Sequence, residues 1–379
     1  MSIPKPIYNP PFNVTRASHS VITVKDLAKS RAFYVDLIGF IVSDEDKDTL
    51  YLRGVAEACH HSLVLKRARG EPEAERVGMR VFTEEDLEKA KKHFDTLGLP
   101  AKWVEVPHQG RTLHVADPGG APIEFCATME LKPRLVVEFA HHHGAVPQRL
   151  DHFQLLVPDV RKACEFWMSL GFRLSEYISP DGTEDMLFVF LQRKGNPHDI
   201  VFAPGTGPRL HHAAFSLPES YQFFYVCDLA YDMGFAANIE YGPGRHGPGH
   251  ALFVYMRDPD GHRIELFNTH YQCMDIENEP VRWDLSLAAK RRWQLPPRRQ
   301  WHVEASRFAG VEPRDLPAAI TARLHDEIVR ILNSADVQQI LGDNGLETIA
   351  NTPSEFVAMI RTDAKIWDEA AVGAGLVGQ

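Results

Sequence analysis

The sequence predicts an α+β protein: two tandem βαβββ-type modules followed by a helical C-terminal appendage. Three observations carry that prediction. A motif beginning at Val24 returns at Val157, each copy closes on the same turn-and-strand signature, and beyond about residue 311 the apolar spacing turns helical.

The first motif runs Val24-Lys-Asp-Leu-Ala-Lys-Ser-Arg-Ala-Phe33-Tyr34 into Gly39-Phe40, and the second runs Val157-Pro-Asp-Val-Arg-Lys-Ala-Cys-Glu-Phe166-Trp167 into Gly171-Phe172. Asp26 and Asp159 stand where a helix N-cap belongs, followed by apolar residues at helical spacing. A strand-like stretch precedes each helix, with His19 near its start in one copy and His152 in the other. The shared ending is Asp117-Pro-Gly-Gly-Ala-Pro-Ile-Glu124-Phe and Asp258-Pro-Asp-Gly-His-Arg-Ile-Glu265-Leu, turn chemistry leading into an alternating strand that carries a glutamate. The modules are placed at residues 14–130 and 148–270, joined by a linker whose His141-His142-His143 run reads as an exposed polar loop. In the appendage, 311–379, Ile320, Leu324, Ile328, Ile331 and Leu332 mark one helix with Pro317 near its start, Asn333-Ser-Ala-Asp336 caps a second and Thr352-Pro-Ser-Glu-Phe356 starts a third.

A chain of 379 residues exceeds one ordinary core, and 44% hydrophobic with 24% charged residues is the composition of a globular protein. A formal charge of −10 argues against nucleic acid or an anionic membrane as partner. Cys59, Cys126, Cys164, Cys227 and Cys273 are scattered without a CxxC pair, which fits free thiols in a reducing cytoplasm. Neither a secretory signal nor a bilayer-spanning run is read in the sequence, so the expected compartment is the cytoplasm.

The copies differ where chemistry is expected. Counting 60 residues from His19 reaches Met79, and counting 60 from His152 reaches His212, so module one is expected to have a thioether in place of the middle imidazole. Only module two then keeps two imidazoles and a carboxylate: His152, His212 and Glu265. Such a triad occupies one face of an octahedral metal and leaves the opposite face for exogenous ligands, as in non-haem Fe(II) oxygenases. The eight extra residues between the last two ligands of module two are assigned to Gly242-Pro-Gly-Arg-His-Gly-Pro-Gly249, read either as a site-lining loop or as an ordinary long turn. If the segment is a strand, His211 points away from His212.

From Ala17 to Glu304 the chain resembles the type I extradiol dioxygenases of the vicinal oxygen chelate superfamily, and among them the homoprotocatechuate (3,4-dihydroxyphenylacetate) 2,3-dioxygenases. The stretches that carry the resemblance are Asp26-Leu-Ala-Lys-Ser-Arg31, Tyr51-Leu-Arg53, Arg149-Leu-Asp-His-Phe153, Gly207-Pro-Arg-Leu-His-His212, Gly242-Pro-Gly-Arg-His-Gly247 and Asp258-Pro-Asp-Gly-His-Arg-Ile-Glu265. The resemblance implies meta cleavage of a catechol with O2, iron(II) at the triad (manganese(II) is accepted by the same ligands), and a homo-oligomer, tetramer or dimer. It implies that His198 is the acid/base, that Tyr255 hydrogen-bonds a catechol oxygen, that His246 assists and that Arg291 holds a substrate carboxylate. It further implies that residues 271–310 cover the site. Three positions depart from the pattern: Phe190 replaces a tryptophan, Tyr241 an arginine and Gln154 an asparagine. Losing a charge-assisted bond of about 1.5–3 kcal/mol weakens an anion pocket, so the expected substrate is a neutral or differently substituted catechol. The appendage resembles the end of the solute receptors of tripartite tricarboxylate transport systems; no transport role is taken from that. The competing readings are a glyoxalase-like isomerase or thiol transferase on the same fold, a non-enzymatic aromatic-binding protein, and a receptor.

Overall fold

The computed structural model describes residues 3–268, 270–290, 293–343 and 345–373, in two compact units, Met1–Asp315 and Leu316–Gln379. The first unit holds both modules. Module one contains β1 (Val14–Val24), α1 (Leu27–Arg31, continuing as a π-helix over Ala32–Ile38), β2 (Ile41–Glu45), β3 (Thr49–Arg53), β4 (Leu63–Arg67), β5 (Ala74–Val81), α2 (Glu84–Thr96), β6 (Ala101–Val104), β7 (Thr112–Ala116) and β8 (Pro122–Cys126). Module two repeats the order with β9 (Arg149–Val157), α3 (Val160–Ser169), β10 (Arg173–Ser179), β11 (Phe188–Gln192), β12 (Ile200–Pro204), β13 (Arg209–Ser216), α4 (Tyr221–Asp232), β14 (Ile239–Arg245), β15 (Leu252–Arg257) and β16 (Arg263–Asn268). The sequence repeat therefore encloses a finer one: each module is two βαβββ units, the second opening on β5 or β13 and containing α2 or α4.

The sheets run β2-β3-β4-β1-β5-β8-β7-β6 and β14-β15-β16-β13-β9-β12-β11-β10. In both, the first strands of the two units pair antiparallel at the centre. Local chemistry explains the helix starts. Asp26 accepts from the backbone N–H groups of Ala28 and Lys29, Asp159 from that of Lys162, and Thr83 forms a capping box with Asp86. The two modules share one continuous apolar core that includes Phe33, Phe40, Phe125, Phe153, Trp167 and Phe215. They are also cross-tied by the aspartates of their closing turns. The Tyr34 hydroxyl donates to Asp258 at 3.0 Å, and the Trp167 indole N–H, its counterpart in the repeat, donates to Asp117 at 3.4 Å.

After β16 the chain adds β17 (Val281–Asp284) to the β10 edge, forms the helices α5 (Leu285–Lys290) and α6 (Arg299–Val303), and pairs β18 (Ser306–Arg307) with the start of β13. The second unit, taken by itself, is three helices: α7 (Ala318–Leu332), preceded by Pro317, α8 (Ala335–Asp343) and α9 (Pro353–Gly373). Their starts fall where the proline and capping signals place them. Among the described residues no helix is long and apolar enough to cross a membrane.

Candidate metal centre

Module two brings three strands to one point. His152 lies on β9, His212 on β13 and Glu265 on β16, with Ala214 paired to both His152 and Glu265 across the sheet. All three side chains are buried, and a ligand atom from each lies within 4.8 Å of the others. The Glu265 carboxylate Oε2 stands 3.3 Å from His152 Nε2 and 3.0 Å from His212 Nε2. His212 Nε2 and Glu265 Oε2 nevertheless find no aligned hydrogen-bond partner among the described residues. Two buried, unsatisfied polar atoms aimed at one point cost about 1–3 kcal/mol each, and a bound cation removes that cost. The donor set therefore fits a divalent metal.

The outer nitrogens are held as metal-ligating imidazoles usually are. His152 Nδ1–H donates to Asp151 at 3.0 Å, and Asp151 accepts in turn from Arg149 and Asn196. His212 Nδ1 lies 2.7 Å from His211 Nδ1, and His211 Nε2–H donates to the Trp301 carbonyl at 2.7 Å. With the Nδ1 atoms engaged, each Nε2 presents a lone pair toward Glu265. Burial works against ionisation of Glu265, yet the imidazoles of His152, His212 and His246 hold its carboxyl well below the usual range. Burial also depresses His212, to about 4, against the opposing pull of Glu265.

The other expected residues surround this point. His246 Nε2 lies 3.0 Å from Glu265 Oε1 and 3.1 Å from the Tyr255 hydroxyl. Burial, reinforced by Glu265, pushes the Tyr255 phenol well above its ordinary value, so it remains a donor at neutral pH. The His198 ring packs edge-on to His152 at 5.1 Å, and burial with the neighbouring His270 and His152 holds its imidazole well below 6.5. Phe190 stacks on His198 at 4.7 Å, and Tyr241 lies parallel to Tyr255 at 6.0 Å while accepting from Gln294. Gln154 lies two residues beyond His152 on the same strand face, paired with His212. The Gly/Pro loop does line the centre: it carries His246, and Gly249 N, at φ +69°, donates to Glu176. Arg291 lies outside the described residues.

Several participants were not read from the sequence. The His270 side chain is covered, its ring 4.5 Å from that of His198 and its Nδ1 3.5 Å from Asp151. Glu176 is buried 3.9 Å from His198 and accepts from Tyr271 and Trp283, and burial raises its pKa. Trp301 of α6 packs edge-on to Tyr255 at 5.2 Å. His270 follows the end of the repeat and has no counterpart to flag it; Glu176 resembles any polar strand residue.

Strand register corrects one sequence equivalence. Gly78, paired with His19 and Glu124, holds the place of Ala214, so Arg76 and not Met79 corresponds to His212. Met79 is fully buried in the core. Of the eight extra residues in module two, three therefore precede the middle position and do not belong to the Gly/Pro loop: 57 positions separate His19 from Arg76 and 60 separate His152 from His212. In module one Glu124 receives His19, Gln109 and His114 at 2.7, 2.6 and 2.7 Å, with the Arg76 guanidinium at 3.9 Å.

Comparison with known proteins places this geometry. A family model described as Glyoxalase/Bleomycin resistance protein/Dioxygenase superfamily matches residues 16–125 and 149–266. The manganese-dependent 2,3-dihydroxybiphenyl 1,2-dioxygenase of Geobacillus genomosp. 3 is 28% identical over 293 residues, 71% of this chain and 90% of that protein. Among solved structures, homoprotocatechuate 2,3-dioxygenase from Brevibacterium fuscum, in an anaerobic complex with 3,4-dihydroxyphenylacetate, is 36% identical with a TM-score of 0.77, over 83% of this chain and 99% of that one. The Arthrobacter globiformis homoprotocatechuate 2,3-dioxygenase is 34% identical, also at 0.77, over 82% and 97%.

Proposed function

Because this chain belongs to the Glyoxalase/Bleomycin resistance protein/Dioxygenase superfamily, and within it is an extradiol dioxygenase that opens a catechol-type diol with O2 at a mononuclear divalent metal, we propose that His152, His212 and Glu265 hold that metal and that it is iron(II). The observation that carries the assignment is the convergence of these three buried side chains with two unsatisfied atoms between them. Manganese(II) is the rival occupant, since one relative is named for its manganese dependence.

Held by His152, His212 and Glu265, a divalent metal would supply open coordination sites for an aromatic diol and dioxygen and a route for electron density between them. The protein's part is positioning and proton handling. Tyr255, a donor beside Glu265, is placed to hydrogen-bond one catechol oxygen, with His246 fixing its hydroxyl. His198, buried with Nε2 lacking a partner among the described residues, is placed to take and return the substrate proton. Gln154 faces the same space. The ring substituent meets Phe190 and Tyr241, and an arginine at neither position. Phe190 belongs to an apolar cluster with Ile178, Val201 and Trp283, and the Tyr241 hydroxyl is engaged by Gln294. That lining favours an alkyl or otherwise neutral catechol, with Arg291 as the remaining cation for a charged one. Trp301, from the segment assigned to cover the site, packs against Tyr255, and the exposed aromatic residues Tyr221, Phe224 and Tyr225 of α4 supply apolar surface for a homo-oligomer.

Anaerobic reconstitution with Fe(II) or Mn(II), followed by a spectrophotometric panel of catechol, 3- and 4-methylcatechol, protocatechuate and 3,4-dihydroxyphenylacetate, tests this reading. The expected result is a yellow ring-opened product that requires metal and is lost in His212→Ala, with methylcatechols ahead of 3,4-dihydroxyphenylacetate. Efficient turnover of 3,4-dihydroxyphenylacetate with methylcatechols rejected overturns the substrate assignment, and metal retention by His212→Ala overturns the ligand assignment.

A further inference from the structure

Module one carries a second cluster of ligand-type side chains, apart from the pair of sheet positions occupied by His19 and Glu124. Asp44 at the end of β2, His60 in the loop before β4 and His108 in the loop before β7 bring one ligand atom each to within 4.8 Å of the others. His60 Nε2 lies 3.9 Å and His108 Nε2 3.7 Å from the same oxygen, Asp44 Oδ2. The His60 side chain is completely buried, and its Nε2 has no hydrogen-bond partner among the described residues. Tyr51 walls the cluster, with its ring 5.3 Å from that of His60 and 4.9 Å from that of His108.

The outer nitrogens are already engaged. His108 Nδ1–H donates to Glu130 at 2.9 Å, which leaves its Nε2 as a bare lone pair. His60 Nδ1 lies 3.1 Å from His61 Nδ1, and the tautomer that donates there again leaves Nε2 bare. In those tautomers two imidazole lone pairs and a carboxylate oxygen face one another, and a cation at their meeting point satisfies all three. From this convergence we infer that Asp44, His60 and His108 form a second metal site, for a borderline divalent ion of the zinc(II) class.

Two imidazoles and one carboxylate, with a fourth position for water, are a zinc donor set, and a carboxylate on the outer nitrogen of a ligating histidine is its usual support. Bonds of about 2.0–2.1 Å space tetrahedral ligands at roughly 3.3 Å, so the contacts to Asp44 must close by about half an ångström. The rings of His60 and His108 are now stacked at 3.8 Å and 5° from parallel, and one ion lies along both lone pairs only after they splay. His108 is the residue able to move: it sits on a turn at φ +64° and its side chain is 24% exposed, whereas His60 is fixed by burial.

The test loads the full-length protein with Zn(II) alone, removes free metal by gel filtration and counts retained zinc by mass spectrometry. The variants are His108→Ala, Asp44→Asn and His212→Ala; the first two alter partly exposed side chains. The expected result is two equivalents in the wild type and one in each variant, with cobalt(II) substitution showing two visible band sets, one lost in His108→Ala and the other in His212→Ala. Ring cleavage by Fe(II)-loaded His108→Ala should equal that of the wild type. A single wild-type equivalent that only His212→Ala removes overturns the inference, as does a second equivalent that survives both His108→Ala and Asp44→Asn.

Discussion

Glu124 and Glu265 stand at the same register position of two copies of one sheet, and the divergence that decides their countercharge is at one neighbour. In module one the middle position is Arg76, whose guanidinium lies 3.9 Å from Glu124; in module two it is His212, with Nε2 3.0 Å from Glu265. Much else is matched. Ser62 and Asp199 accept from Ser20 N and Phe153 N, so His61, one residue earlier, holds the place of His198, and His114 pairs across the strand with Glu124 as Tyr255 does with Glu265. An arginine cannot shed its proton, so module one carries a built-in cation for its carboxylate. A neutral imidazole supplies a lone pair and leaves the countercharge to come from outside. The packing agrees: a Cβ at Gly78 would come within 2.5 Å of the His19 ring, so His19 lies against the strand, while the equivalent position in module two is Ala214.

The most severe way to break this contrast is to import the module-one solution into module two. His212→Arg should place a fixed cation against Glu265, abolish metal retention and take ring cleavage to background, a loss beyond the ~10²–10⁴-fold attributed to a general acid–base group. Metal content and turnover check it together, and a variant that keeps its metal removes the ligand role from His212. His198→Ala should be milder and different in kind: metal retained, Tm nearly unchanged, and kcat down by about 10²–10⁴-fold. If metal is lost instead, His198 belongs to the coordination and not to proton transfer.

A third experiment separates register from residue counting. Met79 lies three positions beyond Arg76, so it faces the opposite side of β5 and packs in the core. Met79→His should bury an unpartnered polar ring and cost about 3 kcal/mol in urea unfolding. Arg76→His should cost under about 1 kcal/mol, since the ion pair is long and Arg76 is partly exposed. Equal costs would mean that the equivalence by counting was right.

That pair of variants also marks what the sequence could convey. The outer ligands of the triad were legible because His152 stands five residues before the repeated motif at Val157, as His19 does before Val24, and Glu265 closes the repeated Asp-Pro-x-Gly-x-x-Ile-Glu. The middle position lies between them, across loops of unequal length, and a small miscount moves a strand residue to the other face. The fold's halves were visible for the same reason, whereas the inner βαβββ repeat is marked only by the short Asp-Leu-x-Lys that Asp86–Lys89 of α2 shares with Asp26–Lys29 at the start of α1, which α4 lacks. His270, Glu176 and the Asp44-His60-His108 cluster come from segments that are distant in sequence and meet only in space. Arg291, named by resemblance, falls outside the described residues, so its role rests on the substrate panel.

The last variant probes what holds module one's carboxylate in place. Burial opposes ionisation of Glu124, yet hydrogen bonds from His114 and His19 hold its pKa well below the usual carboxylate value. A carboxyl depressed by folding contributes stability that is fully present above its unfolded value, near 4.3, and is lost as pH falls through the folded value. Glu124→Gln removes that contribution while keeping the shape and one acceptor. It should cost about 2 kcal/mol at neutral pH, the scale of a hydrogen bond to a charged group, and the gap to the wild type should narrow as unfolding is measured progressively below about pH 4. A gap that stays constant down to about pH 3 would mean that Glu124 acts through shape alone, and the contrast between a self-neutralised module and a metal-neutralised one would lose its electrostatic basis.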